Sequence, residues 1–269
     1  MNLPPQLEKY REVIESSKRD AISITTSYDE NLGRLDSKLG GEPYWPKNMD
    51  YPTHSHRPTL PMLLFAQINF EDLPEQDILP RKGILQFFTT GVDSPSQEDI
   101  KVVHHSKIDE SNMVEDFEEM YLSIIEDAED AEDLEMMMDE VDAILDEAFG
   151  LVKLNFESSS QCVTAGDYRF ASFFGEDSGS FFGKFDDNRS TSELYHKLST
   201  PRGSRIGGYI ETVHDDPRPH ECPEHKTLLL QLDLSEYSEG EYYHYLFIKP
   251  SDLAKQDFSD VHFSEALYI

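Results

Sequence analysis

The chain has 269 residues, 38% of them hydrophobic, with 23 Lys and Arg against 54 Asp and Glu and a formal net charge of -31. That length buries a core without disulfide or metal staples, and so negative a field repels phosphates and anionic lipid, which argues against nucleic-acid and membrane partners and favours a basic protein. With only Cys162 and Cys222, no apolar leader at the N-terminus and no run of about 18 apolar residues, the expected location is the cytoplasm.

Pro4 and Pro5, followed by Leu7, Tyr10 and Ile14 at three- and four-residue steps, predict an N-terminal helix over residues 4–18 that lies on a sheet. Short β-branched and apolar runs at 22–26, 62–68, 84–89 and 101–104, separated by loops rich in Pro and Gly, predict strands. Residues 109–147 then hold eighteen acidic residues and no Lys or Arg, more than half of the net charge. Their apolar positions, from Val114, Phe117, Tyr121 and Ile124 through to Leu145 and Ala148, keep helical spacing. One helix over that stretch would reach about 50 Å at roughly 1.5 Å per residue, long for a domain of this size. Two amphipathic helices bent near residues 127–133 are therefore expected, an acidic insertion over 109–150 with its seam buried and its carboxylates in water. Beyond it, the aromatic runs at 167–170 and 173–174 read as β-type, 192–198 as a short helix, and 227–232, 243–248 and 261–263 as strands.

Two distant segments share an order of features. Gly40 and Gly41 precede the run Leu63, Leu64, Phe65, Ala66, Gln67 and then the aromatic run at 84–88; Gly207 and Gly208 precede Leu228, Leu229, Leu230, Gln231 and then the run at 245–248. The economical explanation is a duplicated β unit, with a first repeat at 37–88 and a second at 204–263 inside a single domain over 1–269. The expected fold class is mainly β with peripheral helices (α+β), with internally duplicated antiparallel β units and the acidic helical insertion.

The blocks SKLGGEPYWP (37–46), LLFAQINFEDLP (63–74), LPRKGILQFF (79–88), RIGGY (205–209) and LLLQLD (228–233), in that order, resemble the YwqG-like family of uncharacterised bacterial proteins over nearly the whole chain. The resemblance implies a mainly-β fold with peripheral helices and brings no established activity. Many relatives carry a tryptophan and a Gly-Asp-x-Gly-like turn before the last aromatic strand, where this chain has GEYYH (240–244).

The glycine pairs, Gly40 with Gly41 and Gly207 with Gly208, either aim backbone N–H groups at an anion or relieve crowding where strands cross; neither fits GxGxxG or a P-loop. Gln67 and Gln231 end apolar runs, where a buried amide must be hydrogen-bonded, and either line a shared pocket or tie a loop to the sheet. These six residues are the candidate ligand-binding set. His214, His220, Cys222 and His225, beside Asp215 and Asp216, have metal-binding side chains at irregular spacing in a loop broken by Pro217 and Pro219, so no metal and no other cofactor is expected. A Cys/His nucleophile at Cys162 or Cys222 needs a base that sequence does not place, and GxSxG does not occur; no catalytic residue is assigned. The leading functional reading is a cytoplasmic binding or interaction protein, an inhibitor or immunity-type partner that covers a basic surface. The alternative is an enzyme or small-ligand protein with its site between the duplicated halves.

Overall fold

The computed structural model describes residues 3–91, 95–125, 152–199, 203–212, 215–236 and 241–268. The strands are β1 (Arg19–Tyr28), β2 (Lys38–Leu39), β3 (Leu63–Asn69), β4 (Ile84–Thr89), β5 (Ile100–His105), β6 (Val152–Gln161), β7 (Ser204–Gly207), β8 (Thr227–Asp233), β9 (Glu241–Ile248) and β10 (Val261–Tyr268). They form one antiparallel ten-stranded sheet in the order β10-β9-β8-β7-β1-β6-β2-β3-β4-β5. The sheet curls into a nearly closed barrel. Its two edges meet at Gln97, just ahead of β5, whose amide donates to Val261 O at 3.1 Å and accepts from Phe263 N at 2.7 Å. The glutamine thereby satisfies backbone groups on an edge that would otherwise invite foreign strands.

The pairing scheme is symmetric about the Thr25–Asn155 pair of β1 and β6. Ile22 opposite Ser158 has its counterpart in Val152 opposite Tyr28, and Ile22 beside Ile206 of β7 has its counterpart in Val152 beside Leu39 of β2. Farther out, Lys38 pairs with Gln67 as Arg205 pairs with Gln231, and the β3–β4 and β8–β9 ladders each shift register once, at Leu64/Ala66 and at Leu228/Leu230.

The barrel interior is the main core, where Ile24, Phe65, Ala66, Leu85, Phe87 and Leu154 meet Leu230, Leu246, Ile248 and Phe263. β4 is buried on both faces and accordingly reads as an apolar run: Leu85 and Phe87 face inward, while Phe88 packs outward with Trp45, Tyr51 and Phe117. Ile210, Cys222, Tyr243 and Phe247 form the corresponding outer core of the second half.

The N-terminal segment is a 3-10 helix, Pro5–Tyr10, continued by an α-helix, Arg11–Ser16, burying Leu7 and Ile14. The β-type reading of residues 167–174 is corrected: Phe170–Phe174 and Ser178–Phe182 are short helices. Gly175, left-handed at φ 79, ends the first, and the Asp177 carboxylate caps the second. Aromatic residues favour strands only when a pleated surface receives them; here Phe170, Phe181 and Phe182 pack instead on Tyr195 of the helix Asn188–Ser199. In the acidic stretch, the helix Phe117–Ile125 lays Phe117 and Tyr121 on Tyr51, with the two tyrosine hydroxyls 3.1 Å apart. The expected bend and second helix of the 109–150 insertion fall at 126–151, outside the described residues.

Candidate functional site

All four glycines of the candidate set are left-handed, with φ 64 and 71 at Gly40 and Gly41 and 70 and 70 at Gly207 and Gly208. At Gly208 an added Cβ would overlap Gln161 Oε1, the oxygen that accepts from Tyr209 N at 3.0 Å. Carbonyls on the loops that enter and leave β2 and β7 are collected by two buried cations. Lys38 Nζ donates to Gly33 O at 2.8 Å and Glu42 O at 2.6 Å. Arg205 donates to Gly203 O at 3.0 Å, Tyr209 O at 3.3 Å and Glu211 Oε2 at 3.0 Å. Burial pushes the Lys38 ammonium down to about 8, against the pull of Asp36 and Glu42.

Gln67 and Gln231 are completely buried. Gln67 Oε1 accepts from Tyr44 N at 3.0 Å and Gln86 Nε2 at 2.8 Å, and its Nε2 donates to Arg34 O and Asp36 O at 2.8 and 2.9 Å. Gln231 Oε1 accepts from Glu211 N at 2.9 Å and its Nε2 donates to Gly203 O at 3.0 Å. Each amide thus serves its own loop, and the structure does not bring the two together. Between the halves lies the apolar inner core.

The metal-like residues diverge. Cys222 is packed in the outer core, where burial pushes its thiol up to about 11. His225 Nε2 lies 2.9 Å from Asp260 Oδ1, whereas His220 is exposed. His214 lies outside the described residues, among which no group of three or more His, Cys, Asp or Glu is placed to hold an ion.

A cleft of about 510 Å³ opens beside the helix Phe170–Phe174, walled by Tyr168, Asp177, Thr212, Asp215 and His220. Asp167 and Asp216 line it and belong to a buried ionic network beneath. Arg218, 1% exposed, donates from Nη2 to Asp167 Oδ2 at 2.7 Å and to Asp216 Oδ2 at 2.6 Å, and from Nη1 to Lys226 O at 3.0 Å. Arg169 closes on Asp167 through Nε and Nη2, both at 2.7 Å. Burial alone would push Asp167 up, but the Arg169 and Arg218 guanidiniums outweigh it and hold the carboxyl below its usual range. The same carboxylates outweigh desolvation at Arg218, which stays firmly protonated.

This network is neutral in sum and structural in character, because a buried charge persists only with a well-placed partner. Asp215 differs: its carboxylate is exposed and meets no partner among the described residues. Asp177 carries a second charge on the wall, its oxygens accepting from Ser180 N and Oγ at 2.9 and 2.7 Å. No Lys or Arg lines the cleft among the described residues. Its sequence signal was the repeated Asp-x-Arg spacing, Asp167 with Arg169 and Asp216 with Arg218; only contact in space reveals that Arg218 serves both aspartates.

A family model described as a domain of unknown function (DUF1963) matches residues 37–265. No curated protein matches the chain significantly.

Proposed function

The chain belongs to the DUF1963 family of domains of unknown function, and from this member's cleft we propose a binding protein that receives a cationic side chain of a basic partner. The observation that carries the reading is a concave wall bearing the carboxylates of Asp177 and Asp215 over a floor whose own charges cancel. A guanidinium or ammonium entering there gains Coulombic attraction without displacing an internal cation. The net charge of -31 steers such a partner from a distance and disfavours nucleic acid and anionic membrane. A hexa-arginine peptide titrated across ionic strength tests the proposal. Binding should weaken steeply with salt and weaken further in Asp215→Asn; equal binding of a hexaglutamine peptide, or no dependence on salt, overturns it.

We further infer that residues 37–88 and 204–263 descend from one duplicated β unit. The matched pairings, Lys38 with Gln67 and Arg205 with Gln231, and the register shift at the same place in each half support the reading. The five sequence blocks also support assignment to the YwqG-like branch and a bacterial origin. A cytoplasmic location is in keeping with two buried free thiols, Cys162 and Cys222. No helix among the described residues is long and apolar enough to cross a membrane. The acidic stretch at 109–150 is read as a solubilising and steering elaboration of the common core.

A further inference from the structure

His244 extends from β9 toward the inner core; it is 5% exposed, and neither ring nitrogen has a hydrogen-bond partner among the described residues. Buried polar groups are almost always hydrogen-bonded, so this one calls for a reason. The fold itself does not require a polar residue there. Leu85 holds the corresponding place in the first half, paired with Ile68 of β3 and His104 of β5 as His244 is paired with Leu232 of β8 and Glu265 of β10.

The imidazole also spans the junction between the halves. Its ring centroid lies 4.9 Å from that of Phe65 on β3, 5.0 Å from Phe263 on β10 and 4.8 Å from Tyr242 on its own strand. Among the described residues, two titratable groups face it. Glu265 Oε2 is 4.0 Å from Nε2, and the Tyr242 hydroxyl donates to that same oxygen at 2.6 Å. Leu232 and Phe65, from β8 and β3, bring none.

We propose that His244 is an acid-triggered latch between the two halves of the barrel: neutral, it seats Phe65 of the first half against β9 and β10 of the second, and protonated, it leaves that aromatic seat for the Glu265 carboxylate and frees the junction. The proton comes from solvent, and the charged ring gains an acceptor only by moving, because none among the described residues lies within hydrogen-bond reach in the closed arrangement. Burial pushes the ring down to about 4, so the latch stays closed at neutral pH. The device would couple acidification to loosening of β9 and β10 while the central β1–β6 ladder holds.

Hydrogen exchange of the full chain, corrected for the intrinsic pH dependence and followed from pH 7 downward, tests it in the parent, His244→Leu and Glu265→Gln. In the parent, protection should fall reversibly in β9, β10 and the Phe65 region before β1 and β6. His244→Leu, which installs the first half's residue, should postpone that loss by about one pH unit or more, and Glu265→Gln should postpone it too by removing the negative charge that attracts the imidazolium. If His244→Leu fails to fold, His244→Phe keeps the aromatic contact and serves the same comparison. Opening of the His244→Leu variant at the parent's pH, or loss of protection in β9 and β10 no earlier than in β1 and β6, would overturn the proposal.

Discussion

Gln67 accepts the Tyr44 amide as Gln231 accepts the Glu211 amide, so the two halves of the barrel fasten their glycine-turn loops by the same bond, at 3.0 and 2.9 Å. Because Gln67 is buried, Gln67→Leu would strand the Tyr44 N–H together with the Arg34 and Asp36 carbonyls. Buried groups left unmade cost about 1–3 kcal/mol each, and relaxation recovers part of the sum, so a loss of about 3 kcal/mol is expected. Urea unfolding of the variant measures it. A change below about 0.5 kcal/mol, the scale of an ordinary surface substitution, would show that the amide is not holding the loop.

Gly208 and Gly175 separate two effects of glycine. Both have positive φ, at 70 and 79, but a Cβ at Gly208 meets Gln161 whereas one at Gly175 meets nothing within 4 Å. Gly175→Ala should therefore lose about 1 kcal/mol, from backbone conformation alone. Gly208→Ala should lose at least about 2 kcal/mol, because strain and overlap add. Equal losses in thermal denaturation would contradict the close approach.

Acid should weaken the fold through His105. Its Nε2 lies 2.9 Å from Gln86 Oε1, and burial, then the neighbouring His104, push its pKa from 6.5 to about 4. In that window the unfolded chain binds the proton and the folded chain does not, so stability is full above the unfolded pKa and falls as the pH drops toward the folded one. Lowering the pH from 7 to 5 should cost about 1–2 kcal/mol through this group. His105→Phe should show a shallower decline in urea titrations at the two pH values; an unchanged slope would assign the acid sensitivity to other groups.

The strands of both halves were legible because each combines apolar runs with β-branched or aromatic residues, and the observed β3, β4, β5, β8 and β9 lie within a few residues of the runs that announced them. β6 was not: Val152, Leu154 and Phe156 alternate, but Ser158, Ser159 and Ser160 carry no apolar pattern, and the strand's full length is secured by pairing with β1 and β2. Residues 170–174 misled because an aromatic cluster packs equally well from a helix once other rings surround it. Gln67 and Gln231 stood out as polar ends of apolar runs, yet their partners are mostly backbone groups far away along the chain, which composition cannot reveal. The cleft left only the Asp-x-Arg spacing as a trace for the same reason, since Asp167 and Arg218 lie 51 residues apart in the chain and meet only in space.

The binding proposal is most directly tested by residue-resolved NMR of the full chain titrated with N-acetyl-arginine amide at two ionic strengths. The expected result is a saturable shift of the amides of residues 167, 168, 177, 178, 212, 215, 216, 218 and 220, with a weaker apparent affinity at the higher salt concentration and in Asp215→Asn. Shifts scattered over the acidic surface, or shifts at the cleft that are the same with N-acetyl-glutamine amide, would contradict it.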